Sequence, residues 1–90
     1  MIQIKYIEEE KRAVAMDEEQ MAGECTYVEA DGRWIIEHTR VRPEYGGRGI
    51  AKLLVEEILN QAKAQGKKIE AQCSYAYKVL KEEAPQILTE

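Results

Sequence analysis

The hydrophobic period of this chain changes once, and the change falls on a cluster of glycines. Before it, apolar residues recur at every second position, the spacing of half-buried strands. Ile2, Ile4 and Tyr6 alternate with Gln3 and Lys5, and Ala13 and Ala15 alternate with Val14 and Met16. After it, Ile50, Leu53, Leu54, Ile58 and Ala62 follow the i, i+3, i+4, i+8 spacing of one helix face. The junction reads Arg42-Pro43-Glu44-Tyr45-Gly46-Gly47-Arg48-Gly49. Strands must therefore come first, and one long helix must start where the backbone is least encumbered.

The remaining elements follow from local signals. Glu8-Glu9-Glu10-Lys11 and Asp17-Glu18-Glu19 read as turns, and a third strand covers residues 21–29, with Cys25 and Tyr27 on one face. Ala30-Asp31-Gly32-Arg33 supplies an Asp-Gly hairpin turn. The fourth strand runs over residues 34–41 and is stopped by Pro43. Strict alternation puts Trp34, Ile36, His38 and Arg40 on one face of it. Lys52, Glu56, Asn60 and Lys63 take the wet side of the helix, where Lys52 and Glu56 can pair across one turn. Gly66 caps the helix in the left-handed region. A short strand follows at 69–72, and Cys73-Ser74 opens a second helix through Lys81, closed before Pro85, with a frayed tail. Four antiparallel strands, a helix, a strand and a helix make an α+β fold. The strand–helix–strand unit at its centre places strands four and five parallel.

With 90 residues the chain is expected to be a single domain, 1–90, with a thin core. No stretch approaches the roughly 20 apolar residues of a membrane span. The start MIQIKYIEEE lacks the basic segment and apolar run of a secretory signal, so a cytoplasmic protein is expected. The net charge of −4, from 13 basic and 17 acidic residues, argues against nucleic-acid binding. Yet Arg40, Arg42, Arg48 and Lys52 crowd one segment against the single acid Glu44, which suits a small anionic ligand or an ordinary basic loop. Cys25, Cys73 and the single histidine, His38, are too few and too scattered for a metal site. A thin core and an open sheet edge leave a homodimer possible.

The glycine turn carries the first chemistry. A helix start leaves backbone N–H groups unpaired and bears a partial positive charge, and glycines let it approach a phosphate closely. No Ser, Thr, Asp or Asn stands at the expected cap position, so either a ligand phosphate or water does the capping. A nucleotide-triphosphate loop would need Gly-Lys-Ser/Thr, and a dinucleotide fingerprint a third glycine at position 52, where Lys52 stands. Both are excluded.

The second candidate is a pair. His38 and Cys73 lie near the C-terminal ends of two strands expected to be parallel, where ligands of such units gather. Cys73 precedes a helix whose dipole favours thiolate, and an imidazole beside it would serve as a base. The competing account is a hydrogen-bonded structural histidine and a packed cysteine. Cys25, mid-strand, and Trp34 read as packing, as do Tyr75 and Tyr77.

The segment Gly46-Gly47-Arg48-Gly49-Ile50-Ala51 resembles the acyl-coenzyme A motif Arg/Gln-x-x-Gly-x-Gly/Ala of the GNAT acyltransferase superfamily, with Gly46 where Arg or Gln is usual. The longer run HTRVRPEYGGRGIAKLLVEEILNQAKAQGKKIEAQCSYA, about half the chain, resembles the small single-domain GNAT-like proteins, with Ser74 where they usually carry proline. The resemblance implies a minimal GNAT-like fold that uses acetyl-coenzyme A as co-substrate and a small-molecule or peptide amine as acceptor. It implies cofactor contacts from Val41, Arg42, Tyr45, Gly46, Gly47, Arg48, Gly49, Ile50, Ala51 and Ser74, and catalytic roles for Cys73 and His38. Arg42, Arg48 and Lys52 would hold the phosphates. A binding or sensing module without turnover, and a domain whose turn binds nothing, are the alternatives.

Overall fold

The computed structural model describes residues 1–89. Its strands are β1 (Ile2–Ile7), β2 (Arg12–Asp17), β3 (Gln20–Ala30), β4 (Arg33–Val41) and β5 (Lys68–Ala71). Its helices are α1 (Ile50–Ala64) and α2 (Ser74–Glu83). The five strands form one sheet in chain order. The first four are antiparallel and β5 is parallel to β4. The α+β fold expected from the period change is the one observed. The Asp31-Gly32 turn has φ of 54° and 76° at its two central residues, the left-handed pair that a two-residue hairpin needs.

Both helices cover one face of the sheet. Ile50, Leu54, Val55, Ile58, Leu59 and Ala62 of α1 pack with Ala76, Val79 and Leu80 of α2 against Ala13, Ala15, Cys25, Tyr27, Trp34, Ile36 and Ile69. Tyr27 and Trp34 stack with ring centroids 4.1 Å apart, and Tyr6 lies 6.3 Å from Trp34. Each fully buried large apolar side chain contributes about 1.5–3 kcal/mol, so this layer carries most of the stability. The buried stripe of α1 is rotated from the expected one. Leu53 is 46% exposed, while Val55 and Leu59 are buried. Lys52 pairs with Glu83 of α2 at 3.5 Å rather than with Glu56, tying the two helices together.

The tail is not frayed. Ile69 and Leu88 form a parallel bridge, Ile69 N–H donates to the Ile87 carbonyl at 2.8 Å, and Thr89 N–H donates to that of Ile69 at 2.7 Å. These bonds satisfy the outer edge of a strand only four residues long.

Candidate functional site

Strand β4 has two halves with different neighbours. Residues Arg33 to Ile36 pair on both sides, with β3 and with Lys68 to Ala71 of β5. The Gln72 N–H still donates to the Ile36 carbonyl at 2.9 Å, and there the pairing with β5 ends. Beyond it β4 continues to Val41 bonded to β3 alone, so a gap opens between β4 and the chain entering α2. Cys73 is the residue on the far side of that gap.

A bulge sits where the gap begins. Tyr27 pairs with Ile36 and Thr26 with His38, leaving Glu37 as the extra residue. A bulge reverses the parity of every later side chain. Thr39 and Val41 therefore join Trp34 and Ile36 on the helix side, paired with Cys25 and Gly23. His38 and Arg40 move to the uncovered side. The shared face expected for Trp34, Ile36, His38 and Arg40 is thus corrected. The parity change has a trace in the sequence: the apolar residues Ile36 and Val41 are an odd number of positions apart, which no regular strand allows on one face.

His38 and Cys73 are consequently not hydrogen-bonded to each other. The His38 Nε2 atom lies 3.2 Å from the Thr26 hydroxyl and 3.6 Å from Glu24 Oε2. Glu24 is also held by Arg12 at 2.8 Å, and Arg12 by Glu10 at 2.7 Å. Burial pushes the Glu24 carboxyl up, but the Arg12 guanidinium, followed by His38, more than offsets this and holds it below the usual range. Cys73 instead meets Thr39. Its thiol donates to the Thr39 hydroxyl at 3.8 Å, and that hydroxyl donates to Cys25 Sγ at 3.4 Å. Burial pushes the Cys25 thiol up to about 11. Cys25 is core, as its mid-strand position implied. Strict alternation places Thr39 on the opposite face, so its contacts with both cysteines depend on the bulge.

The glycine turn lies at the other end of the same gap. Pro43–Tyr45 form one turn of 3-10 helix, and Gly47 and Gly49 then take φ of 76° and 75°. A side chain at either would be strained, and a Cβ there would meet only open space. Gly49 is the residue before α1, and no side chain caps that helix. The Tyr45 hydroxyl donates to Asp17 Oδ2 at 2.8 Å and lies 3.1 Å from Gln20 Oε1, which pins the turn to the β2–β3 hairpin. That bond, before any other influence, holds the Asp17 carboxyl below its usual value and raises the Tyr45 phenol. The Arg48 guanidinium lies 5.5 Å from the centre of the Tyr45 ring.

These residues line an open cavity of about 220 Å³. Its walls are Val41, Tyr45, Gly46, Gly47, Arg48, Gly49, Ile50 and Ala51, closed opposite by Tyr75. Tyr75 is 40% exposed and is a wall of this cavity, not packing. Helix α2 turns it there from its second residue, a placement that sequence spacing alone does not give. Arg42 is separated from the others and lines a different cavity with Val41. Lys52 is engaged by Glu83, so Arg48 is the one cation of the expected three that belongs to the glycine-turn cavity. Ser74 begins α2 beside Cys73 and does not line it.

The family model of GCN5-related N-acetyl-transferases matches residues 8–87. No curated protein sequence matches the chain. Among solved structures it is similar to a GCN5-like candidate N-acetyltransferase from Staphylococcus aureus. The two are 32% identical with a TM-score of 0.73, over 97% of this chain and 87% of that one. It is also similar to a GCN5-related N-acetyltransferase from Sphaerobacter thermophilus, 30% identical with a TM-score of 0.59, over 63% of this chain and 19% of that one. A GNAT-family protein from Desulfovibrio desulfuricans shares the fold at 19% identity and a TM-score of 0.60, over 64% of this chain and 40% of its own. The chain thus spans well under half of these last two proteins.

Proposed function

The chain belongs to the GCN5-related N-acetyltransferase family, and from that premise we propose that it transfers an acetyl group from acetyl-coenzyme A to an amine. The observation that carries this reading is the alignment of one continuous path: the uncapped start of α1, the cavity of the glycine turn, and the gap between β4 and β5. The pyrophosphate would rest on the free N–H groups of residues 47–51, where the helix dipole favours an anion and Gly47 and Gly49 leave room for it. The pantetheine would run along Val41 toward Thr39. Unpaired backbone groups of β4, left without a β5 partner, offer it hydrogen bonds. The thioester would then lie at the mouth of the gap, against the Thr39–Cys73 contact.

Transfer needs the amine nitrogen to attack the thioester carbonyl carbon. An N–C bond forms, the C–S bond breaks, and coenzyme A leaves as a thiolate that takes a proton from water. His38 is the group able to take the proton that the amine loses. Its Nε2 is directed to Thr26 and Glu24, which leaves Nδ1 as the acceptor, and anionic Glu24 stabilises the imidazolium that results. Cys73 has a separate role, as the thiol nearest the acyl group, held by Thr39. The separation of these two residues favours direct attack over a relay in which His38 activates Cys73.

The test is acetyl-coenzyme A cleavage with and without amines, in wild type, Cys73→Ala and His38→Ala. Direct attack predicts amine-dependent cleavage that falls about 100-fold or more in His38→Ala and survives Cys73→Ala. An acetyl thioester trapped on Cys73 would replace that mechanism with a two-step one. Tight binding of acetyl-coenzyme A without cleavage by any amine would make the chain a binding or sensing module.

A further inference from the structure

The uncovered face of the sheet holds a second cavity, and its chemistry differs from that of the first. Its volume is about 280 Å³ and its lining is Met21, Gly23, Glu24, Arg40, Val41 and Arg42. Val41 is a wall of both cavities, so the two meet at the end of β4. The Arg40 and Arg42 guanidiniums form no hydrogen bond or ion pair among the described residues. Glu24, a wall of this cavity, is held by Arg12 and faces His38, which lies beside the cavity against Glu24 and is not one of its walls. Two unpaired cations beside a carboxylate–imidazole pair suit a ligand that carries charge of both signs.

Resting on the acyl-transfer reading above, we propose that the acceptor is a small amine that also carries an oxyanion group, carboxylate or phosphate. It binds on this face, with the oxyanion on Arg40 and Arg42 and the amine toward His38. Guanidinium forks match the planar oxygens of a carboxylate and two oxygens of a phosphate. Residues 38 and 40 stand two positions apart on one strand face, roughly 7 Å, which is the reach of an amino acid or a short aminoalkyl phosphate. The cavity falls just below the roughly 300–1,000 Å³ of sites for drug-sized ligands, so it is scaled for a small metabolite rather than a peptide segment. The acceptor and the cofactor then approach from opposite faces of the sheet. The gap past Ile36, where β4 has no β5 partner, is where the amine nitrogen reaches the thioester.

Three classes of amine separate the possibilities at saturating acetyl-coenzyme A: glycine and β-alanine against their amides, O-phosphoethanolamine against ethanolamine, and spermidine. The expected result is a kcat/KM at least about tenfold higher for the oxyanion-bearing member of a pair. Which pair responds identifies carboxylate or phosphate. Arg40→Ala and Arg42→Ala should each erase most of that advantage, with the affinity for acetyl-coenzyme A, measured by calorimetry, unchanged. Preference for spermidine or for the neutral amines would overturn the proposal, as would variants that slow every amine alike. Wild-type protein that fails to bind acetyl-coenzyme A would sink the acyl-transfer reading itself, which is a different failure. If no amine turns over, N-acetylglycine and N-acetyl-phosphoethanolamine are titrated into ¹⁵N-labelled protein. Shifts at the amides of Gly23, Arg40 and Val41 support the site, and their absence at millimolar ligand removes it.

Discussion

The two halves of β4 are nine residues of one strand under different constraints. The first half is paired on both edges and buries Trp34 and Ile36 completely. The second half is paired on one edge and carries a bulge; Arg40 and Val41 line cavities, Thr39 meets Cys73 across the gap, and His38 lies on Thr26 and Glu24. Backbone groups freed from the sheet must be satisfied by something else. A strand that stops pairing while it continues in the same direction therefore leaves backbone donors and acceptors open to another partner. The contrast predicts that the first half decides whether the chain folds and the second decides what it binds.

The sharpest way to break that contrast is a deletion in the closed half. Ile36→Ala removes side-chain volume from a fully buried position and should cost about 2–5 kcal/mol, seen as a large fall in the melting temperature. In the open half, Thr39→Val keeps the shape and removes only the hydroxyl between two sulfurs, so it should cost no more than about 1 kcal/mol. Comparable losses from the two would mean that β4 is uniform after all.

Next in size is the glycine turn. Gly49→Asp puts a negative charge at the start of α1 and forces a non-glycine residue to φ of 75°. The backbone strain costs about 1–2 kcal/mol of stability, and affinity for coenzyme A should fall about tenfold or more through repulsion of the phosphates. Gly49→Ala carries the strain without the charge. Calorimetry on both separates the two effects, and equal affinities would remove the phosphates from this turn.

Most of the fold was legible because period and turn chemistry are local. The switch from alternation to helical spacing at Gly49, the Asp31-Gly32 turn and the parallel pairing of β4 with β5 all follow from residues close in sequence. What was not legible depends on one inserted residue and on distant partners. The bulge at Glu37 moved His38 away from Cys73 and brought Thr39 to it. Tyr45 lines the glycine-turn cavity as expected of a contact residue, but the anchoring of its hydroxyl by Asp17 and Gln20, 28 and 25 positions earlier, has no local signal. Tyr75 gained its place in the cavity wall only through the way α2 packs on α1.

That Tyr45 anchor gives a smaller effect with a definite sign. The Asp17 carboxyl is held below its ordinary value of 3.8, chiefly by the Tyr45 hydroxyl. Its contribution to stability is thus complete above about pH 4 and is lost as pH falls through the lower folded value. Asp17→Asn should be less stable than wild type near neutral pH. The difference should shrink on acidification below about pH 4, as thermal melts at a series of pH values would reveal. A constant difference would mean the bond does not depend on the charge of Asp17.

The smallest expected effect is that of salt. With Arg42 in the other cavity and Lys52 paired to Glu83, Arg48 is the cation left at the glycine turn. Screening acts over a Debye length of about 8 Å at physiological ionic strength, so coenzyme A affinity should weaken only a few-fold at high salt. A loss of a hundredfold would return Arg42 and Lys52 to the phosphates.

The place where acetyl-coenzyme A would touch β4 distinguishes the two halves of the strand most directly. Titration of the ¹⁵N-labelled protein with acetyl-coenzyme A, followed amide by amide, reads both halves of the strand in one experiment. The expected result is large shifts at residues 46–51, Thr39, Val41 and Cys73, with Trp34, Ile35 and Ile36 nearly silent. Shifts spread evenly along β4, or confined to the closed half, would contradict it.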